Sequence, residues 1–87
     1  MPYISGDERA KYEPALSELR KLINLDSKKG ELTYLAYCLG MEWFKDRESY
    51  TNISTAISCL DDAKEELRRR YLNPYEDKKL IENGEVT

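Results

Sequence analysis

Histidine is absent from these 87 residues. With it go the commonest general base and the commonest transition-metal ligand. Serine and cysteine nucleophiles have no imidazole to activate them, so no hydrolase triad can be drawn and no catalytic residue is expected. The two cysteines, Cys38 and Cys59, are too few for a disulfide scaffold. Both fall among apolar helical positions, where a free thiol behaves as a small hydrophobe in a reducing setting. Zinc would need four ligands from two thiols and carboxylates, so neither a metal nor another cofactor is expected. No glycine-rich phosphate loop is present. Three prolines and four glycines exclude collagen-like and linker compositions. No apolar run approaches the roughly 18 residues of a membrane span. The stretch from Met1 to Arg9 has neither the basic start nor the apolar core of a secretion signal. A cytoplasmic setting without a membrane partner is therefore expected. A basic excess is also missing: the net charge is -3, which speaks against a nucleic-acid polymer as partner.

What is present is 40% hydrophobic, 36% charged and 10% aromatic, with seven tyrosines. That composition describes one small soluble domain over residues 1–87. A chain of this size buries a modest fraction of its surface, and its core supplies only a few kcal/mol. With disulfides and metals set aside, oligomerisation is the remaining way to gain stability.

The periodicity predicts an all-α fold: a three-helix bundle with a short kinked C-terminal helix, assembled as a homo-oligomer. Residues 1–13 read as a lead-in, extended over 1–5, with Ser5 able to cap a helical turn over 6–11. Helix 14–26 opens on Pro14, which suits a first helical position. Its Ala15, Leu16, Leu19, Leu22 and Ile23 share one stripe, which Tyr12 extends. Helix 31–47 is apolar on two opposite faces. Leu32, Leu35, Ala36, Leu39 and Trp43 lie on one, and Tyr34, Tyr37, Cys38, Met41 and Phe44 on the other. Such a helix asks for burial on both sides, which argues for a second subunit; the terminal tails are the other cover. Helix 52–73, with Thr51 or Asn52 as cap, carries a stripe from Ile53 through Leu60 and Leu67 to Tyr71. Its acids precede its bases, as the helix dipole favours, with Glu65–Arg69 and Glu66–Arg70 at pairing distance. Pro74 should end or kink that helix. Residues 74–87 form an extension with a short helix over 75–82, stopped by Asn83-Gly84.

Lys64 sits near the middle of the last long apolar stripe, with Arg68 and Tyr71 following on the same side. Two cations and a phenol on an apolar face suit a small anion: Arg offers a planar fork of donors, Lys a point charge, Tyr a stacking surface. The competing reading runs the Lys64 stem along the core edge to pair with Glu31 or Glu42. Asp62 and Glu66, one helical turn apart, could hold Mg²⁺ through hard oxygens. Their face is uniformly polar, however, and the 31–47 helix answers with only Glu31 and Glu42.

The Met1-Pro2-Tyr3-Ile4 start and Gly30-Glu31-Leu32 with Tyr34 are accompanied by Ala63-Lys64, Arg69-Arg70, Pro74-Tyr75-Glu76-Asp77-Lys78-Lys79 and Glu82-Asn83-Gly84. Together these stretches resemble a family of small uncharacterised bacteriophage and prophage proteins, over nearly the whole chain. Thr33 departs from the Asn that follows Gly-Glu-Leu in that family. The resemblance implies a phage-type origin and the host cytoplasm, and it brings no catalytic set. By analogy with small helical phage proteins that sequester host nucleotide immune signals, it implies a non-enzymatic binder of a small anionic, nucleotide-like ligand at a subunit interface. The candidate ligand-binding residues are Lys64, Arg68, Tyr71, Tyr34 and Tyr3. A protein-interaction module acting on a host protein is the alternative, and a Mg²⁺-dependent nucleotide hydrolase the third reading.

Overall fold

The computed structural model describes residues 3–24 and 26–84. Among these the chain is all-helical, with no strand. The elements are α1 (Gly6–Ala10), α2 (Glu13–Leu22), α3 (Lys29–Phe44), α4 (Tyr50–Leu67), a π-helical turn (Arg68–Leu72) and α5 (Asn73–Glu82). Met1 and Pro2, the first residues of the expected extended lead-in, lie outside the described residues. Contacts divide the chain into two compact units, residues 1–35 and 36–87.

In the first unit, Ser5 caps α1. Its hydroxyl accepts from the Glu8 backbone N–H at 3.1 Å, and the Glu8 carboxylate reaches back to Ser5, a reciprocal capping box. Pro14 lies in the first turn of α2, where its missing N–H costs nothing. α2 stops at Leu22, four residues short of the expected end. The reason is local: Ser27 Oγ donates to the Leu22 carbonyl and accepts from the Asn24 N–H, both at 3.2 Å. Asn24 Oδ1 accepts from the Asp26 N–H at 2.8 Å. Short polar side chains here offer the backbone an alternative to the helical ladder, and Ile23 turns extended. α3 then opens at Lys29, with the Glu31 carboxylate accepting from the Lys28 N–H at 2.6 Å.

In the second unit, α4 is capped by Ser49, whose hydroxyl accepts from the Asn52 N–H at 3.0 Å. The expected cap, Thr51 or Asn52, is thus inside the helix; the Asn52 amide fastens the preceding loop by donating to the Arg47 carbonyl at 2.7 Å. Later residues of α3 meet α4 at a crossing of small groups. Gly40 presents no Cβ to Leu60; one built there would stand 3.2 Å from Leu60 Cδ1. Ala56, 5% exposed, is the one fully buried residue among those described. Cys38 is half-buried, but Cys59 is exposed rather than enclosed as its apolar setting suggested.

Pro74 neither ends nor breaks the helical path. α4 runs through the π-helical turn directly into α5, and the Asn73 N–H reaches back five residues to the Arg68 carbonyl. In a regular α-helix the proline ring would collide with the carbonyl four residues before it, that of Arg70, and leave it without a donor. One extra residue in the turn moves that carbonyl away from the ring. α5 ends at Glu82, and Gly84 takes the left-handed conformation, φ 72°.

Candidate ligand-binding site

The π-helical turn shapes the candidate site. One added residue sets the following helix back by about 100°, the angle of one residue in an α-helix. Leu72 thereby comes round to the side that carries Lys64, Leu67, Arg68 and Tyr71, while Tyr75, already on that side by spacing, stays beside Leu67. These six residues line one open cleft of about 550 Å³ along the α4–α5 path. Leu67 and Leu72 supply its apolar floor, Lys64 and Arg68 cations at one end, Tyr71 and Tyr75 aromatic rings at the other.

The electrostatics are local. Lys64 Nζ lies 3.6 Å from Asp61 Oδ1 and 3.9 Å from Glu65 Oε1, and Arg68 Nε lies 3.8 Å from Glu65 Oε1. These are ion pairs beyond ordinary hydrogen-bond length, so they leave donors for an incoming anion. Such exposed contacts contribute little to stability. The anticipated partners of Lys64 are occupied elsewhere: Glu31 caps α3, and Glu42 pairs with Lys45 at 2.5 Å. Lys64 pairs instead along its own helix. The Lys79 ammonium sits 5.6 Å above the Tyr75 ring, a cation–π contact on one face.

Three of the five sequence-predicted residues, Lys64, Arg68 and Tyr71, meet in this cleft. Tyr34 and Tyr3 belong to the unit of residues 1–35. Tyr34 lines a separate cleft of about 700 Å³ in that unit, with Leu19, Ile23 and Leu35 among its walls. Tyr75 is the lining residue left out of the expected set, because the expected end or kink at Pro74 lies just before it; at eleven residues past Lys64 it keeps the stripe.

The acids Asp62 and Glu66 do not form a cation cage. Glu66 receives Arg69 at close contact and Arg70 Nε at 2.8 Å, the second being the pair its spacing predicted. Glu65 pairs with Arg68 rather than with Arg69. Among the described residues, no three Cys, Asp or Glu stand together as a metal-holding group. No described helix is long and apolar enough to cross a membrane.

The sequence profile of one protein family, a domain of unknown function (DUF6899), matches residues 1–86. No curated protein and no solved structure matches the chain.

Proposed function

The chain belongs to the DUF6899 family, and from that premise we propose that it is a non-enzymatic binder of a small anionic, nucleotide-like ligand. One observation carries the reading: two cations and two tyrosines share a single apolar-floored cleft. Lys64 and Arg68 take the phosphate, with Arg68 offering paired donors and Lys64 a mobile charge. Tyr71 and Tyr75 stack on the base. The midpoint of the cation pair lies about 10 Å along the helix from that of the tyrosines, at 1.5 Å per residue. That span suits the distance from a base to the second phosphate of an extended nucleotide. Tyr3 and Tyr34 carry no part of this reading.

The cleft is open, so a second subunit closes it. The all-helical chain is accordingly a homo-oligomer, acting in the cytoplasm. The resemblance to bacteriophage proteins extends the proposal to sequestration of a host immune nucleotide. Nothing in the geometry favours the Mg²⁺-dependent hydrolase over simple binding, since Glu66 is engaged by arginines.

Lys64→Ala tests the proposal against a panel of mono- and cyclic nucleotides by calorimetry. The expected result is at least a tenfold loss of affinity in a protein of unchanged helicity. Unchanged affinity in a folded Lys64→Ala protein overturns the reading, as does failure of the native protein to bind any anion of the panel.

A further inference from the structure

Glu65 stands between the two cations of the ligand cleft. Its Oε1 lies 3.9 Å from Lys64 Nζ and 3.8 Å from Arg68 Nε. Asp61 Oδ1 lies 3.6 Å from Lys64 Nζ. The two positive charges of the cleft thus face two negative ones. The neighbouring cations are engaged as well: Arg69 and Arg70 converge on Glu66, and Lys79, at the tyrosine end, pairs with Glu82 at 3.2 Å. The cation end of the cleft offers hydrogen-bond donors but little net positive field.

Resting on the nucleotide reading above, we propose that Glu65 determines which phosphate the cleft accepts. The cleft takes a phosphate esterified on both sides, which carries a single negative charge. It rejects a terminal phosphate, which carries about -1.5 to -2 at pH 7. The span to the tyrosines, about 10 Å at 1.5 Å per residue, makes that group the second phosphate of a nucleoside diphosphate whose far end bears a further substituent. The ligand class is therefore an ester-capped nucleoside diphosphate.

The reason lies in how the two opposing terms scale. Attraction to the donors grows in proportion to the charge on the phosphate, whereas the cost of stripping its water grows as the square of that charge. A strongly positive cleft offsets the cost, because its field acts undiminished on the second charge. Here Asp61 and Glu65 lie well inside the roughly 8 Å over which physiological salt screens charge. They oppose every charge that the donors attract, so a second one costs more than it returns. Capping the phosphate loses no contact: a diester keeps two free oxygens, enough for the paired donors of Arg68.

The test is calorimetry of the full chain with ADP and with its β-methyl ester, a pair that differs by one methyl group and one charge. The native chain is expected to bind the ester about tenfold more tightly than ADP, since only ADP brings the second charge to Glu65. Glu65→Gln keeps the shape of the side chain and removes its charge. It is expected to raise ADP affinity about tenfold and ester affinity about threefold, because the repulsion removed scales with ligand charge. Asp61→Asn is expected to act in the same direction, and it carries the test should Glu65→Gln not fold. ADP bound by the native chain as tightly as the ester overturns the proposal. So does an equal gain for both ligands in Glu65→Gln, because Glu65 then competes for the donors without reading charge. Either result leaves the nucleotide reading standing. Binding of neither ligand by the native chain, or undiminished binding by Lys64→Ala, overturns that reading and this proposal with it.

Discussion

The two halves of α4 share one backbone and one cap, yet they are written for different neighbours. From Ile53 to Leu60 the helix is uncharged and slim, and Leu60 Cδ1 stands 3.2 Å from where a Cβ on Gly40 of α3 would lie. From Asp61 onward nearly every polar position is ionised, and the contacts become ion pairs within the helix itself. The first half gains its stability from packing, where small changes of volume are felt. The second gains little from any single contact, because its charges are largely solvated. What the second half has instead is a surface whose donors stay available.

If that contrast is right, the largest effect comes from bulk at the crossing. Gly40→Leu places atoms where Leu60 Cδ1 already stands near the Cβ position. Overpacking of this kind costs about 1–3 kcal/mol, partly offset by the roughly 1 kcal/mol that leaving glycine returns to a helix. A net loss of up to about 2 kcal/mol is expected, read as a lower urea midpoint at fixed protein concentration. Gly40→Ala, which needs Leu60 to shift by only a few tenths of an ångström, is expected near zero. Equal tolerance of both variants would show that α3 and α4 do not meet there.

Next in size is Pro74→Ala, and its sign is opposite. Restoring the N–H and removing the ring lets the π-helical turn revert to α-helix, since the turn is the accommodation of that ring. Proline costs about 3 kcal/mol inside a helix, and the wider turn already relieves part of it, so a gain of about 1–2 kcal/mol is expected. The more telling readout is register. Leu72 should rotate by about 100° away from the cleft while Tyr75 stays on its side, visible as nuclear Overhauser contacts of Leu72 moving from Leu67 to Arg68. A more stable protein whose cleft has lost its Leu72 floor would follow. An unchanged Asn73 N–H bond to Arg68 in this variant would mean that something other than Pro74 sets the turn.

Periodicity made the helical class legible because apolar stripes at 100° intervals recur in every long segment. The cation pair Lys64–Arg68 and Tyr71 were legible for the same reason, as they follow the stripe on a single helix. Periodicity failed where one side chain overrides a backbone preference. Asn24 and Ser27 end α2 early by capturing backbone groups, and Ser49 outcompetes Thr51 and Asn52 for the cap of α4. Tyr75 escaped because Pro74 was expected to end or kink the helix, although eleven steps of 100° return it to the side of Lys64. Cys59 looked buried because its neighbours in sequence are apolar, but those neighbours line an open groove.

Ser49 sets the middle of the scale. Its hydroxyl satisfies one of the orphan amides at the start of α4. Ser49→Ala should cost about 1 kcal/mol, with Ser49→Asp close to neutral. Because the cap serves the packed half, the loss should appear in global unfolding, measured by the same urea titration. A loss confined to amide exchange at Asn52 and Ile53 would mean that the first turn of α4 opens by itself.

The smallest effect should come from the charged half. Arg70 Nε lies 2.8 Å from Glu66 Oε1, but the arginine side chain is 52% exposed. Exposed pairs of this kind are worth 0–1 kcal/mol, and Arg69 also reaches the same carboxylate. Arg70→Ala alone should therefore shift stability by less than about 0.5 kcal/mol. Arg69→Ala should do no more, because each arginine covers for the other. The double variant is the informative one. Glu66 is only 13% exposed in its side chain, so removing both cations leaves a sheltered carboxylate without either of them. The cycle should then show a loss larger than the sum of the single losses. Strict additivity would mean that Glu66 draws on water rather than on the arginines. If Arg70→Ala alone cost as much as Gly40→Leu, the division of α4 into a packed half and a solvated half would not stand.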